Sequence, residues 1–345
     1  MNEVVVINAL IVVATIVGLW FGATWLVEGA VRLSRKVGLS ELIIGLTIVA
    51  MGTSMPEFAV TTTAALNGQA DISVGNIVGS NIFNLAIILG GVVAIRSIAT
   101  NRKLVYRDGI FLVVTSFLVL FFLRDLQLVP WEGIVLIVTL LGYIIYLISQ
   151  REMTDEELPE GEFAPFDIVR LLVGFAIVAI SGRFLVTSST AIAETLGVSD
   201  WIIAVTVVAA GTSAPEMAAS FVAAVRGYES ISIGNLIGSD LFNKLGVLGL
   251  AALLQRNDGT VVPSEQVVPG WIERLMEMGW MSEPTGVGMM IEPAGFGSIL
   301  TLCIMVTIVV WMMWTGWKLS RWEGLVLLAI GIARWGLDIY NASGA

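Results

Sequence analysis

Apolar and polar positions along the chain are segregated into blocks. Ten apolar blocks can be marked, at 4–31, 41–67, 72–95, 104–123, 130–150, 167–192, 201–226, 231–254, 296–318 and 322–341. A helix needs about 20 apolar residues to cross a bilayer, and these blocks meet that length. The pattern predicts an all-α polytopic membrane protein with ten transmembrane helices. The first block follows Glu3 rather than a basic segment and is too long for a signal peptide, so it reads as the first spanning helix. A polar gap at 151–166 holds the acidic run Glu152 to Glu162 and reads as a solvated cytoplasmic linker. It divides the chain into a first five-helix unit, 1–150, and a second, 167–345.

The two units repeat each other. Shifted by 159 positions, 38–90 lies on 197–249 without a gap, and about half of the aligned residues are identical. The identities include Thr47/Thr206, Ala50/Ala209, Gly68/Gly227, Gly75-Asn76/Gly234-Asn235, Gly79-Ser80/Gly238-Ser239 and Phe83-Asn84/Phe242-Asn243. They also include the hexapeptides Gly52-Thr53-Ser54-Met55-Pro56-Glu57 and Gly211-Thr212-Ser213-Ala214-Pro215-Glu216. Apolarity alone would not preserve individual polar residues at fixed spacing. Five helices per unit is an odd number, so the second unit must enter the membrane from the opposite side. The expectation is two inverted repeats about a pseudo-twofold axis in the membrane plane, a recurrent transporter plan.

Charge adds an orientation. Arg32, Arg35, Lys36, Arg96, Arg102, Lys103, Arg107, Arg151, Arg226, Lys318 and Arg321 flank loops on one face, against chiefly Arg124, Arg256 and Arg274 on the other. The basic face is expected in the cytoplasm, with both termini extracellular. The segment 255–295 then reads as an extracellular insertion, in which Trp271 to Met276 has the spacing of a short helix on the membrane surface.

Composition narrows the chemistry. Hydrophobic residues make up 57% of the chain, charged residues 13%, and mean hydropathy is +0.89. A soluble domain carries about 25% charged residues. The chain has one cysteine, Cys303, and no histidine, so it can hold neither an internal disulfide nor a nitrogen- or sulfur-rich metal site. Any metal must be bound by oxygen, which points to hard cations such as calcium, magnesium or sodium. No cofactor fingerprint is present, and no nucleic-acid partner is expected of a chain with net charge −10. The lipid bilayer and the ions are the expected partners; a monomer suffices, and the oligomeric state is open.

Glu57 and Glu216 lie mid-block between apolar flanks, where a carboxylate costs several kcal/mol unless it is paired. No lysine or arginine stands at helical spacing from either, and a bound cation is the natural partner. Pro56 and Pro215 lack an N–H and free a carbonyl one turn upstream, near Gly52-Thr53 and Gly211-Thr212. Each hexapeptide thus offers a carboxylate, hydroxyls and main-chain oxygens at one helix break. Ser80 with Asn84, and Ser239 with Asn243, lie four apart on one face of the following helix and can turn oxygens toward the break. The competing readings are a protonated glutamate bonded to a neighbouring helix, a ligand-free Pro-Gly kink, and Ser/Asn pairs serving only as interhelical bonds. Lys244, costly inside a membrane block, has Asp240 four residues earlier as an expected ion-pair partner; the other reading is a tethered cation near the site.

These repeats resemble the alpha-repeats of the sodium/calcium exchanger family, prokaryotic type, within the calcium/cation antiporter superfamily. The resemblance rests on the duplicated Gly-Thr-Ser-x-Pro-Glu and covers both repeats. It implies a secondary antiporter, not an enzyme, that exchanges sodium for calcium by alternating access. By position, it implies that calcium and sodium share Glu57 and Glu216. Thr53 and Thr212 would help hold calcium through main-chain oxygen. Ala50, Ser54 and Ser80 would form one flanking sodium site, Ala209, Ser213 and Ser239 the other, and Asn84 and Asn243 would complete the centre. Helices 4–31 and 167–192 would be the sliding gate pair. Some relatives carry an aspartate at one of the two asparagine positions; here both are Asn. Alternatives at this stage are a proton/calcium antiporter of the same fold, a passive cation channel, and a membrane-embedded enzyme using the two glutamates as acid and base.

Overall fold

The computed structural model describes residues 3–150, 164–198, 207, 209–255, 274–275, 277–279, 289–291 and 293–342. The greater part of the acidic linker, residues 201–206 and 208 of the seventh block and most of the insertion, including Trp271, lie outside the described residues.

The described chain is helical apart from four two-residue strands. Helix α1 (Glu3–Val37) is followed by a broken span, α2 (Glu41–Thr53) and α3 (Met55–Leu66), bent by 51° at Ser54. Then come α4 (Ala70–Ile95), α5 (Leu104–Asp125) and α6 (Pro130–Ser149). The second half comprises α7 (Pro165–Thr195), the short α8 (Ala209–Thr212), α9 (Ala214–Val225), α10 (Glu229–Leu254), α11 (Pro293–Trp314) and α12 (Arg321–Ala342). Among the described residues seven helices are long and apolar enough to span a membrane, and the bent pair α2–α3 makes an eighth. Helices α8–α9 and α12 fall on the two remaining apolar blocks. The expected all-α polytopic architecture is the one observed.

Inverted symmetry is visible in the packing. Between helices in lipid there is little hydrophobic drive, so small residues set the approach. A Cβ added to Gly90 of α4 would lie 3.0 Å from the Gly324 carbonyl of α12; one added to its repeat-mate Gly249 of α10 would lie 2.9 Å from the Gly133 carbonyl of α6. The strands repeat the theme. Strand β1 (Ile98–Ala99) pairs antiparallel with β4 (Lys318–Leu319), and β2 (Gln127–Leu128) with β3 (Met289–Met290). Counting crossings along the chain puts the first ribbon at one end of the bundle and the second at the other.

The buried apolar residues form two clusters. The larger joins α2 with α4–α6 and α10–α12. The smaller is centred on α1 and α7, with Leu19, Ala23, Leu26, Leu171 and Val178, and touches α2, α9 and α10. Helices α1 and α7 meet at glycines: a Cβ at Gly174 would lie 2.6 Å from the Leu26 amide nitrogen, and one at Gly22 would lie 2.8 Å from an Ile177 methyl. Arg32 of α1 also pairs with the buried Asp167 of α7 at 3.0 Å. The outer faces of both helices expose large apolar side chains such as Leu10 and Leu172, as lipid contact requires.

Candidate functional site

The two helix breaks have the same local cause. Ser54 and Ser213 leave helical geometry at φ −78°, ψ 9° and φ −87°, ψ 10°. Pro56 and Pro215 then occupy the first turn of α3 and α9, where a missing N–H disturbs nothing. Glu57 and Glu216 therefore sit in the first turn of a helix that starts inside the protein, and each is 0% exposed. A helix N-terminus favours negative charge.

The breaks face each other. Ser54 Oγ donates to Glu216 Oε1 at 3.0 Å, and Ser213 Oγ donates to Glu57 Oε1 at 3.0 Å. These two bonds exchange under the repeat, so the axis passes between the glutamates. In each carboxylate Oε2 is buried and has no hydrogen-bond donor among the described residues.

The remaining expected residues lie around this pair. Thr53 Oγ1 is 3.4 Å from Ser239 Oγ and donates to Asn235 Oδ1 at 3.1 Å. Asn243 Nδ2 reaches Ser80 Oγ at 3.5 Å and donates to Asn81 Oδ1 at 3.1 Å. Asn84 Nδ2 donates to Asp240 Oδ1 at 3.1 Å. Asn84 opens one wider turn of helix, Asn84–Ile88, and Asn243 is the second residue of another, Phe242–Val247, of a kind common at functional positions. Their Oδ1 atoms, like the glutamate Oε2 atoms, are buried without a donor. Ala50 is buried one turn before Ser54, whose N–H bonds its carbonyl at 3.0 Å. Ala209 and Thr212 open and close α8 on the other side. Each serine thus meets the glutamate of the opposite half, a cross-connection that one-dimensional spacing does not reveal.

Three residues at the site were not assigned from the sequence. Asn76 Nδ2 lies 3.4 Å from the Glu57 carbonyl and 2.9 Å from Thr61 Oγ1; Asn235 repeats both contacts, at 3.4 Å from the Glu216 carbonyl and 3.0 Å from Ser220 Oγ. Their identity in both repeats was the available signal. The third, Asp240, was expected to pair with Lys244. That pairing is electrostatic and not a direct contact: the two charges act on each other, but Lys244 Nζ donates to Ser116 Oγ of α5 at 2.6 Å, Asp240 Oδ1 accepts from Asn84, and Asp240 Oδ2 has no hydrogen-bond donor among the described residues.

Coverage of the site is unequal. At the α2–α10 crossing a Cβ on Gly238 would lie 2.5 Å from the Leu46 carbonyl, so the two backbones touch. Asn235 and Thr53 are buried there, whereas their repeat-mates Asn76 and Thr212 are half-buried, and Gly75 and Gly79 of α4 are exposed.

Buried carboxylate and amide oxygens without donors, beside hydroxyls, are the kind of ligands that hard cations take. Among the described residues no three acidic, histidine or cysteine side chains come together, so one ion here would have at most two carboxylates and otherwise neutral oxygens.

Comparison with known proteins places the fold and the family. The sequence model of the family described as "Sodium/calcium exchanger protein" matches residues 7–149 and 166–332. A putative antiporter, CaxA, of Alkalimonas amylolytica is 34% identical over 72% of this chain and 81% of its own. The sodium/calcium exchanger MaX1 of Methanosarcina acetivorans is 28% identical over 95% of this chain and 97% of its own. A solved structure of the sodium-calcium exchanger NCX_Mj, soaked with sodium and strontium, superposes with a TM-score of 0.77 at 25% identity, covering 95% of this chain and 97% of that one.

Proposed function

The chain belongs to the sodium/calcium exchanger family, a family of transporters rather than enzymes, and from that premise we propose that it exchanges sodium for calcium across the cell membrane by alternating access. The observation that carries the reading is the reciprocal pair Ser54–Glu216 and Ser213–Glu57, with both free Oε2 atoms buried at one centre. Two carboxylates balance one calcium or two sodium ions. Either cargo therefore neutralises the same site, and neither glutamate has a resident cation within ion-pair distance among the described residues. An unoccupied pair of buried carboxylates is costly. That cost disfavours movement of the empty carrier and couples the two fluxes.

In this reading calcium is held by both glutamates and the Thr53 and Thr212 main chain. Sodium sites lie on either side, at Ala50, Ser54 and Ser80 and at Ala209, Ser213 and Ser239, and Asn84 and Asn243 complete the centre. The units 1–150 and 167–345 act as the two halves of the carrier. Helices α1 and α7 form the sliding gate; their glycine-lined contact with each other supports movement as a unit.

Calcium flux into proteoliposomes separates the possibilities. We expect uptake driven by an outward sodium gradient at fixed pH. Uptake that responds only to a pH gradient would mean proton coupling, and flux indifferent to both gradients would mean a channel.

A further inference from the structure

The repeats diverge at one turn beside the centre. Where α4 has Asn81 and Leu85, α10 has Asp240 and Lys244, and all four are buried. Asn81 and Asp240 nevertheless make the same contact. Asn243 Nδ2 donates to Asn81 Oδ1 and Asn84 Nδ2 donates to Asp240 Oδ1, each at 3.1 Å. An asparagine at 240 would therefore accept the Asn84 bond as well as the aspartate does. Packing does not require the carboxylate. What it adds is a negative charge and a second oxygen, Oδ2, which is buried without a donor. Such a group is expensive inside a membrane protein unless something binds it. Lys244 lends it a nearby positive charge but no hydrogen bond, its ammonium donating instead to Ser116 Oγ, so Oδ2 keeps a vacant ligand position among the described residues. Asn84 Oδ1 and Asn243 Oδ1, also without donors, belong to the same hydrogen-bonded group.

We propose that Asp240 is a third anionic ion ligand, which holds a monovalent hard cation with the amide oxygens of Asn84 and Asn243 beside the Glu57–Glu216 centre, and that Lys244 is the resident charge that offsets it. The inference rests on the reading of the glutamates as the exchange site and adds a position next to them. It is a separate position, because three acidic side chains do not converge on one point among the described residues. One carboxylate and two neutral oxygens suit sodium. A divalent ion would lack a second anion there and would meet the Lys244 charge. With two glutamates, Asp240 and Lys244, the net charge stays at −2, so the added ligand enlarges sodium capacity without changing the charge the calcium form must balance.

Asp240→Asn, which gives α10 the residue α4 carries, tests this in proteoliposomes. The sodium concentration for half-maximal exchange should rise by roughly tenfold or more, the scale of losing a group that tunes a metal site. The sodium Hill coefficient should fall, and half-saturation by calcium in the absence of sodium should change far less. A variant with wild-type sodium half-saturation and Hill coefficient overturns the proposal and leaves Asp240 as the acceptor for Asn84 alone. Wild-type crystals soaked in thallium(I) provide a second test that does not depend on the variant folding. An anomalous peak at ligand distance from Asp240 Oδ2 is expected, and peaks confined to the glutamate pair contradict it. A wild type with no sodium dependence would instead count against the exchange reading, and the thallium experiment would then judge the position by itself.

Discussion

At the scale of single residues, the centre is defined by hydrogen bonds that cross between repeats. A hydrogen bond to a charged group is worth about 1.5–3 kcal/mol, and Ser54 and Ser213 each make one to the opposite glutamate. Ser54→Ala and Ser213→Ala should therefore each weaken cation half-saturation by about tenfold, and by similar factors because the contacts are equivalent. Exchange assays on the two variants check this; an effect confined to one would break the proposed symmetry. The hexapeptides were legible because the chain contains its own control, a second copy of the same expensive residues. Asn76 and Asn235 were equally repeated but bind main-chain carbonyls behind the glutamates, and spacing carries no sign of that role. Lys244 shows the limit of local rules. The i,i+4 spacing to Asp240 predicts a pair, yet the long side chain reaches Ser116 on another helix.

At the scale of elements, the broken helices and their glycine contacts do the positioning. Proline placement announced the breaks; the sequence did not show which helix each glycine touches. Gly238 is in backbone contact with Leu46, so Gly238→Ala should force α10 off α2 and lower stability by about 1–3 kcal/mol, measurable as a fall in Tm of the purified protein. Gly174 is different, because its close contacts are with Gly22 and Leu26 of α1 and not with the proposed ion ligands. Gly174→Leu should cut transport several-fold while calcium binding to the solubilised protein stays near the wild-type value. Loss of binding and transport together would mean that α1 and α7 shape the site instead of gating it.

At the scale of the whole molecule, repeat identity and an odd helix count were enough to read the inverted plan, because both are properties of the one-dimensional pattern. The unequal coverage of the two halves was not readable. Gly75 and Gly234 are the same residue at the same place in the repeat, yet Gly75 is exposed and Gly234 buried, a difference the pattern of identities does not carry. The orientation expected from lysine and arginine placement is tested in a Cys303→Ala background, since Cys303 is the chain's one cysteine. A cysteine introduced at the exposed Gln69 should react with an impermeant maleimide added to intact cells, and one at the exposed Arg321 should react only after permeabilisation. The opposite labelling would place the termini inside.

The central claim is that Glu57 and Glu216 together form the one site through which calcium and sodium pass. Calcium uptake into sodium-loaded proteoliposomes, compared between the wild type and the isosteric Glu57→Gln and Glu216→Gln variants, tests it most directly. The account predicts uptake against a calcium gradient by the wild type and its loss in both variants, since each removes one of the two charges that the cargo must balance. Exchange at the wild-type rate by either variant would contradict it.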